Sequence, residues 1–245
     1  LWQPRDRAAW ERATATFDRE DGNRWHGRGA LPKEWTIETA GLTFKLSGTD
    51  FGHLGIFPEQ RAQWRWIQET VKDRCASGLL PRVLNLFAYS GGSTLAAARG
   101  GAEVCHLDAS KGMVQWAREN AALNGLRDHP IRWITDDAHK FREIRRERRY
   151  DAVIFDPPTF GRGANGEMYK IERDLQETIG LVRGVLSERP LFVLFSSHTP
   201  GLSCRVAENV IGQAFPSAAR VESGEMLLEG RDRPCPSGIY CRAVF

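Results

Sequence analysis

The sequence predicts an α/β fold built on a mostly parallel sheet with helices on both faces. Three observations carry that expectation. Short, continuously apolar segments rich in Val, Ile, Leu and Phe recur along the chain; amphipathic helical segments separate them; and the last two strand-like segments follow one another with no helix between. Strands buried on both faces read as unbroken apolar runs, and strand–helix alternation is the pattern of βαβ units. Two terminal strands lacking a helical crossover pair antiparallel, which predicts an edge hairpin.

Taken in order, residues 1 to about 30 are rich in Arg, Trp and Asp and read as a helix followed by a polar loop, DGNRWHGRG. Trp35–Thr39 and Leu42–Leu46 flank Ala40-Gly41 with β-branched and aromatic residues, the signature of a β-hairpin. From Pro58 the texture changes. Trp64, Ile67, Val71 and Cys75 fall at helical spacing and form one apolar stripe. Strands are expected near Val83–Phe87, Glu103–Leu107, Ile131–Ile134, Asp151–Phe155 and Leu191–Phe195. Helices are expected near Ser93–Arg99, Lys111–Leu123, Ala138–Arg146, Tyr169–Leu186 and Ser203–Ala214. The terminal strand segments are Ala218–Leu228 and Ile239–Phe245. This gives a seven-stranded sheet over residues 58–245, preceded by an N-terminal extension with a small β-hairpin over residues 1–57.

Composition is that of an ordinary soluble domain. The 245 residues are 41% hydrophobic and 27% charged. No apolar run approaches the ~20 residues of a membrane span, and the first residues do not read as a signal peptide. The first residue is not Met, so the natural protein is expected to begin further upstream. Five scattered cysteines, without a CxxC pair or a His cluster, suggest reduced thiols in a cytoplasm and argue against a metal framework. A net charge of +3 says little about partners. The run KFREIRRERR from Lys140 to Arg149 is either a solvated helix face with i,i+4 pairs or a phosphate-contacting patch.

Four segments carry the chemistry. The first, VLNLFAYSGGST from Val83 to Thr94, runs a buried strand into a glycine turn that opens a helix. Gly91 and Gly92 free the backbone to take positive φ and approach a ligand closely. The turn lies beyond the carboxyl end of the first strand, where doubly wound sheets bind ligands. The G-x-G-x-x-G fingerprint of dinucleotide sites is absent. The second, VCHLDAS, ends its strand on Asp108, followed by Ala109 and Ser110. An ionised carboxylate accepts without donating, which suits the two hydroxyls of a ribose. In the third, Asp136-Asp137-Ala138, one carboxylate can cap the following helix while the other accepts from an adenine amino group; Asp137 is the candidate for adenine. The fourth is VIFDPPTF. Pro157 and Pro158 force a rigid extended segment that holds the Asp156 carboxylate toward a planar nitrogen-bearing group, and Phe160 offers a stacking surface. A nucleobase extruded from RNA is bound by such edge hydrogen bonds and stacking.

Together, NLFAYSGG, HLDASKGMVQWARENAALNGL, DDAHKF and FDPPTF resemble the bacterial large-subunit ribosomal RNA methyltransferases of the I and K/L types and their relatives. The likeness spans roughly Phe51 to His198, including the lead-in FGHLGIFPEQR. It implies a Rossmann-like class I methyltransferase sheet, a fold for which the antiparallel terminal strands are one mark. It implies S-adenosyl-L-methionine as cofactor, with Asn85, Phe87, Ala88, Tyr89, Ser90 and Gly91 around its methionine part. Asp108, with Ala109 and Ser110 beside it, would meet the ribose, and Asp137 with Ala138 the adenine. Phe57 and Gln60 of the lead-in would close the pocket. Asp156, Pro157, Pro158 and Phe160 would form the catalytic face toward the target.

Two departures narrow the reading. The type I enzymes that methylate cytosine carbon 5 need a cysteine nucleophile in an S-C-S-like segment after the fifth strand; this chain reads Phe195-Ser196-Ser197-His198-Thr199, and Cys204 is the nearest cysteine. A separate N-terminal RNA-binding barrel is also not evident. The expected function is therefore methylation of a base nitrogen in RNA, with ribosomal RNA as partner, by direct in-line transfer and without a metal. His198 stands either as a proton acceptor or RNA contact, or as a satisfied surface histidine. The alternatives are a methyltransferase for a protein side chain or a small molecule, and a catalytically silent RNA-binding protein.

Overall fold

The structure, a computed structural model, describes residues 6–19, 22–138, 149–162, 166, 168–230 and 233–245. Short elements open the chain: α1 (Arg7–Glu11), the hairpin β1 (Thr16–Asp18) and β2 (Arg24–His26), and the hairpin β3 (Trp35–Thr39) and β4 (Leu42–Leu46). Then come α2 (Arg61–Ala76), β5 (Arg82–Leu86), α3 (Gly92–Gly100), β6 (Glu103–Asp108), α4 (Lys111–Leu123), β7 (Ile131–Thr135) and β8 (Ala152–Phe155). A third hairpin, β9 (Phe160–Arg162) and β10 (Met168–Lys170), precedes α5 (Ile171–Val185), β11 (Phe192–Ser197), α6 (Cys204–Ala214), β12 (Arg220–Leu228) and β13 (Cys235–Val244).

Seven strands form one sheet in the order β12-β13-β11-β8-β5-β6-β7. The pairs from β11 through β7 are parallel, and β13 is antiparallel to both β11 and β12. The predicted Rossmann-like sheet with its antiparallel C-terminal edge is therefore observed. β5, the first parallel strand in sequence, has β6 on one side and β8 on the other. Strand order reverses there, and a crevice opens at the carboxyl ends.

Burial explains why these segments are strands. Val83, Leu84 and Leu86 of β5, all four residues of β8 and all six of β11 are buried, so both faces of the sheet centre are covered. One core layer sets Val153, Phe155, Val193 and Phe195 against Ile179, Val182 and Ile211 of α5 and α6. The other sets Val83, Val104, Ile154 and Leu194 against Trp64, Ile67 and Val71 of α2 and Leu95 of α3. Leu42, Phe44 and Leu46, alternate residues of β4, join this second layer. The sheet side of α4 seats that hairpin through side-chain amides: Asn124 exchanges two hydrogen bonds with the Thr43 backbone, at 2.9 and 2.7 Å. The Lys45 N–H donates to Asn120 Oδ1 at 2.8 Å.

Four local expectations need correction or lie out of reach. The region read as a helix and polar loop contains the β1–β2 hairpin, with β2 inside DGNRWHGRG, held by an edge contact between Phe17 and Trp25 and by Trp25 Nε1 donating to the Thr49 carbonyl. Tyr169 is in a strand, and the helix begins two residues later, where Asp174 Oδ2 accepts the Lys170 N–H and caps the first turn. Gly92 has no positive φ; a Cβ there would lie 2.5 Å from Trp64 Cζ2, so its missing side chain makes room for α2. The expected helix at Ala138–Arg146 and the basic run lie outside the described residues, apart from Ala138 and Arg149. No helix among the described residues is long and apolar enough to cross a membrane.

Candidate active site

A cavity of about 890 Å³ opens at the carboxyl ends of β5, β6, β7 and β8. Its lining includes Phe57, Phe87, Tyr89, Asp108, Ala109, Ser110, Asp137, Ala138, Asp156, Pro157, Pro158 and Phe160. A small recess of about 40 Å³ shares Phe57, Phe87, Tyr89 and Asp156 with it and adds Gln60, Asn85, Ala88 and Ser90. The structure thus gathers residues that are up to a hundred positions apart. Gly91 borders neither space: a Cβ there would stand 3.0 Å from Ala117 Cβ, and its φ of +93° turns the chain into α3. Another cavity of about 410 Å³, lined by Arg82, Glu103, His129 and Arg132, lies at the amino ends of the strands, away from these carboxylates.

The turn after β5 is shaped by unusual backbone. Phe87 and Tyr89 take φ of +54° and +50°, which costs a non-glycine residue about 1–3 kcal/mol and points to a constraint worth its strain. What this conformation achieves is visible in its hydrogen bonds. The Ala88 N–H meets the Leu107 carbonyl at 3.1 Å, and the Tyr89 N–H meets Asp108 Oδ2 at 2.8 Å. The Ser110 N–H donates to Asp108 Oδ1 at 2.8 Å. Burial pushes the Asp108 carboxyl up while these two amide donors hold it down. A carboxylate offers about four lone-pair positions, so two backbone donors leave capacity for two hydroxyls.

The lead-in folds over this turn. Gly55, with φ of +91°, lies against the Trp116 ring, where a Cβ would collide. Its carbonyl accepts the Ser90 hydroxyl at 2.7 Å. The Phe57 ring then packs 5.0 Å from Tyr89 and 5.2 Å from His198. Behind the turn, Asn85 Nδ2 donates to Thr94 Oγ1, which sits 2.9 Å from His106 Nδ1. Burial and the Arg118 cation push His106 down to about 3, so it is neutral.

The two aspartates after β7 divide their tasks. Asp136 Oδ1 accepts the Asp137 N–H at 2.8 Å, a local turn, whereas Asp137 lines the cavity with Ala138. After β8, Asp156 Oδ2 accepts from Gln60 Nε2 at 3.0 Å, and the same amide donates to Ser196 Oγ at 3.0 Å. Asp156 Oδ1 is buried without a hydrogen-bond donor. The nearest cation is His198 Nδ1 at 3.7 Å, an ion pair too long for a hydrogen bond. His198 Nε2 lies 2.8 Å from Glu59 Oε1, and Glu59 is buried. Burial works against the charged imidazole, but the Asp156 and Glu59 carboxylates outweigh it and carry His198 up to about 10.

Glu59, His53, Arg19 and Tyr169 also border this site and were not among the expected site residues; His198, expected either as a proton acceptor or RNA contact or as a satisfied surface histidine, borders it too. Tyr169 packs its ring 5.4 Å from Phe87. Arg19 and burial together push His53 down. Phe160 is 59% exposed at the cavity rim with Lys170 Nζ 5.5 Å from its ring centroid. No cysteine lines either space; Cys204 opens α6 and Cys241 is buried in the core.

A Rossmann-like sheet with an antiparallel edge thus sets acids at or just beyond the ends of successive strands around one crevice, the place where doubly wound sheets bind ligands. Residues 16–186 match the family model described as S-adenosylmethionine-dependent methyltransferase, and the chain belongs to that family. It is 31% identical over 175 residues to the ribosomal RNA large subunit methyltransferase K/L of Shewanella frigidimarina, covering 70% of this chain and 24% of that protein. Identity to the K/L protein of Shewanella sp. strain ANA-3 is 34% over 183 residues, with coverage of 70% and 24%. The chain thus spans about a quarter of the length of these curated relatives. A crystal structure of a SAM-dependent methyltransferase from Agrobacterium tumefaciens superposes with a TM-score of 0.91 at 35% identity, over 100% of this chain and 81% of that one.

Proposed function

We propose that this chain transfers the methyl group of S-adenosyl-L-methionine to a nitrogen of a base in RNA, with ribosomal RNA as the substrate class. The observation that carries the reading is that Asp108, Asp137 and Asp156 all open onto one cavity at the strand-order reversal. In this reading Asp108 receives the ribose hydroxyls beside Ala109 and Ser110. Asp137 and Ala138 meet the adenine. Asn85, Phe87, Ala88, Tyr89, Ser90 and Gly91 form the turn around the methionine part, with Phe57 and Gln60 above it.

The cofactor supplies a methyl carbon already electrophilic on its sulfonium, so the protein's task is alignment and exclusion of water. Positioning of this kind can supply about 7–11 kcal/mol of barrier lowering. Asp156, Pro157 and Pro158 hold an acceptor edge for the target, and the exposed face of Phe160 takes the base by stacking. Lys170 beside that ring suits a neighbouring phosphate. The K/L relatives carry ribosomal RNA in their names, and the cysteine-free cavity fits a nitrogen target better than cytosine carbon 5.

The test is transfer of labelled methyl from S-adenosyl-L-methionine into RNA isolated from cells lacking the gene. Label in ribonuclease-sensitive material supports the proposal. Label only in protein or small molecules from the same lysate contradicts the RNA assignment.

A further inference from the structure

Two groups from distant parts of the chain, Gln60 and His198, meet the Asp156 carboxylate, and Glu59 backs His198. Gln60 from the lead-in fixes Oδ2 by one amide hydrogen bond at 3.0 Å and uses its other contact to grip Ser196 of β11. His198, two residues beyond Ser196, brings Nδ1 to 3.7 Å from Oδ1. Glu59, adjacent to Gln60, holds the opposite ring nitrogen of His198 at 2.8 Å from a position only 6% exposed. The imidazole is covered by Phe57 on one face. On the β13 side it meets Gly238, where a Cβ would already crowd His198 Cδ2 at 3.2 Å. The ring is thus held between an acidic partner, a tilted aromatic ring and close backbone.

We propose that His198 is a positioning residue: anchored by Glu59, it stands beside the buried Oδ1 of Asp156 and, with Gln60 on Oδ2, fixes the carboxylate so that its exposed edge faces the cavity as the acceptor for an N–H of the group to be methylated. This rests on the reading that the Asp156 end of the cavity receives the target. The groups that face His198 are Glu59 from the lead-in and Asp156 from the turn after β8; beyond Phe57 stand His53, with Arg19 near it, and Tyr89. Two carboxylates around one imidazolium leave the cluster with net negative charge. An N–H that grows more positive as its nitrogen takes up a methyl group is stabilised there more strongly in the transition state than before it. A buried carboxylate oxygen without a hydrogen-bond donor is costly unless a charge stands near it, and Oδ1 is such an atom. A cationic neighbour 3.7 Å from Oδ1 offsets part of that cost, while the carboxylate as a whole, 26% exposed, still opens onto the cavity.

The experiment has two arms. In the first, the His198 ring is titrated by nitrogen-15 NMR in the full chain, in wild type, Glu59→Gln and Asp156→Asn. The expected wild-type midpoint lies well above the ordinary histidine value, and each variant should lower it by about one unit or more, as removal of a close opposite charge does. A wild-type midpoint near the ordinary histidine value, or one that neither variant moves, overturns the proposal. In the second arm, cells lacking the gene are complemented with His198→Gln, and binding of S-adenosylhomocysteine to the purified variant is measured by calorimetry. The proposal expects affinity within about threefold of wild type together with about tenfold or greater loss of the methylated nucleoside. Full restoration of the mark by His198→Gln overturns it, as does loss of cofactor affinity in parallel with the mark, which would assign His198 to the fold or the cofactor half. If deletion of the gene removes no nucleoside mark, the RNA reading fails, and the NMR arm alone decides the His198–Glu59–Asp156 arrangement.

Discussion

Asn120 and Ser90 tie the β3–β4 hairpin to the turn after β5: Asn120 Nδ2 donates to the Ser90 carbonyl at 2.9 Å while its Oδ1 accepts the Lys45 N–H at 2.8 Å. Asn120 is fully buried on α4; its bond to Ser90 is made away from water and its bond to Lys45 is part-buried. Asn120→Ala leaves a buried carbonyl and a partly buried amide without partners, and a loss of about 2–4 kcal/mol is expected in urea unfolding. Cofactor affinity should fall with it, because Ser90 belongs to the turn. Stability within about 0.5 kcal/mol of wild type would show that the hairpin seats on α4 by its apolar face alone.

Asp108 and Asp156 are predicted to separate binding from transfer. Losing two charge-assisted hydrogen bonds to a ribose costs on the order of 3 kcal/mol, so Asp108→Ala should weaken S-adenosylhomocysteine by about a hundredfold or more in calorimetry. Asp156→Asn should bind it within a few-fold of wild type. Unchanged affinity in Asp108→Ala would remove the ribose assignment.

Gly55 is placed by conformation and by space. Its φ of +91° and its approach to Trp116 both exclude a side chain. Gly55→Ala should cost about 2 kcal/mol or more and lower the Tm. Because the Gly55 carbonyl holds Ser90 and the next residues carry Phe57, cofactor affinity should drop as well. A variant with unaltered Tm and affinity would contradict the fit of the lead-in against α4.

His106 gives a pH signature with a defined sign. Its folded pKa, about 3, lies below the unfolded value of 6.5, so the unfolded chain binds the extra proton between them. The stability it contributes is complete above pH 6.5 and is lost as pH falls toward 3, by up to about 1.4 kcal/mol per unit. Urea midpoints of wild type should therefore fall more steeply from pH 6.5 to 4 than those of His106→Gln. Parallel pH dependences would contradict a buried neutral His106.

Much of the frame was readable because it is written in local pattern. Continuous apolar runs marked the parallel strands, and Asp108, Asp137 and Asp156 stood at their ends, where a doubly wound sheet opens. Trp35–Thr39 and Leu42–Leu46 alternate across a tight turn, and the hairpin has those bounds. The β1–β2 and β9–β10 hairpins were not legible, since three-residue strands show no periodicity to read. His198 and Glu59 lie 139 positions apart; no spacing rule joins them, and only the packing of the lead-in across β11 does. The conformation of Gly92 was misjudged because a glycine that admits a neighbouring Trp looks in sequence like one that takes positive φ.

The central claim, methylation of an RNA base nitrogen at the Asp156 end of this cavity, is tested most directly by nucleoside mass spectrometry of ribosomal RNA from cells with and without the gene. Loss of one N-methylated nucleoside on deletion, restored by wild type and not by Asp156→Ala, is the predicted result. An unchanged nucleoside profile would contradict the RNA substrate, and loss of 5-methylcytosine would contradict the nitrogen target.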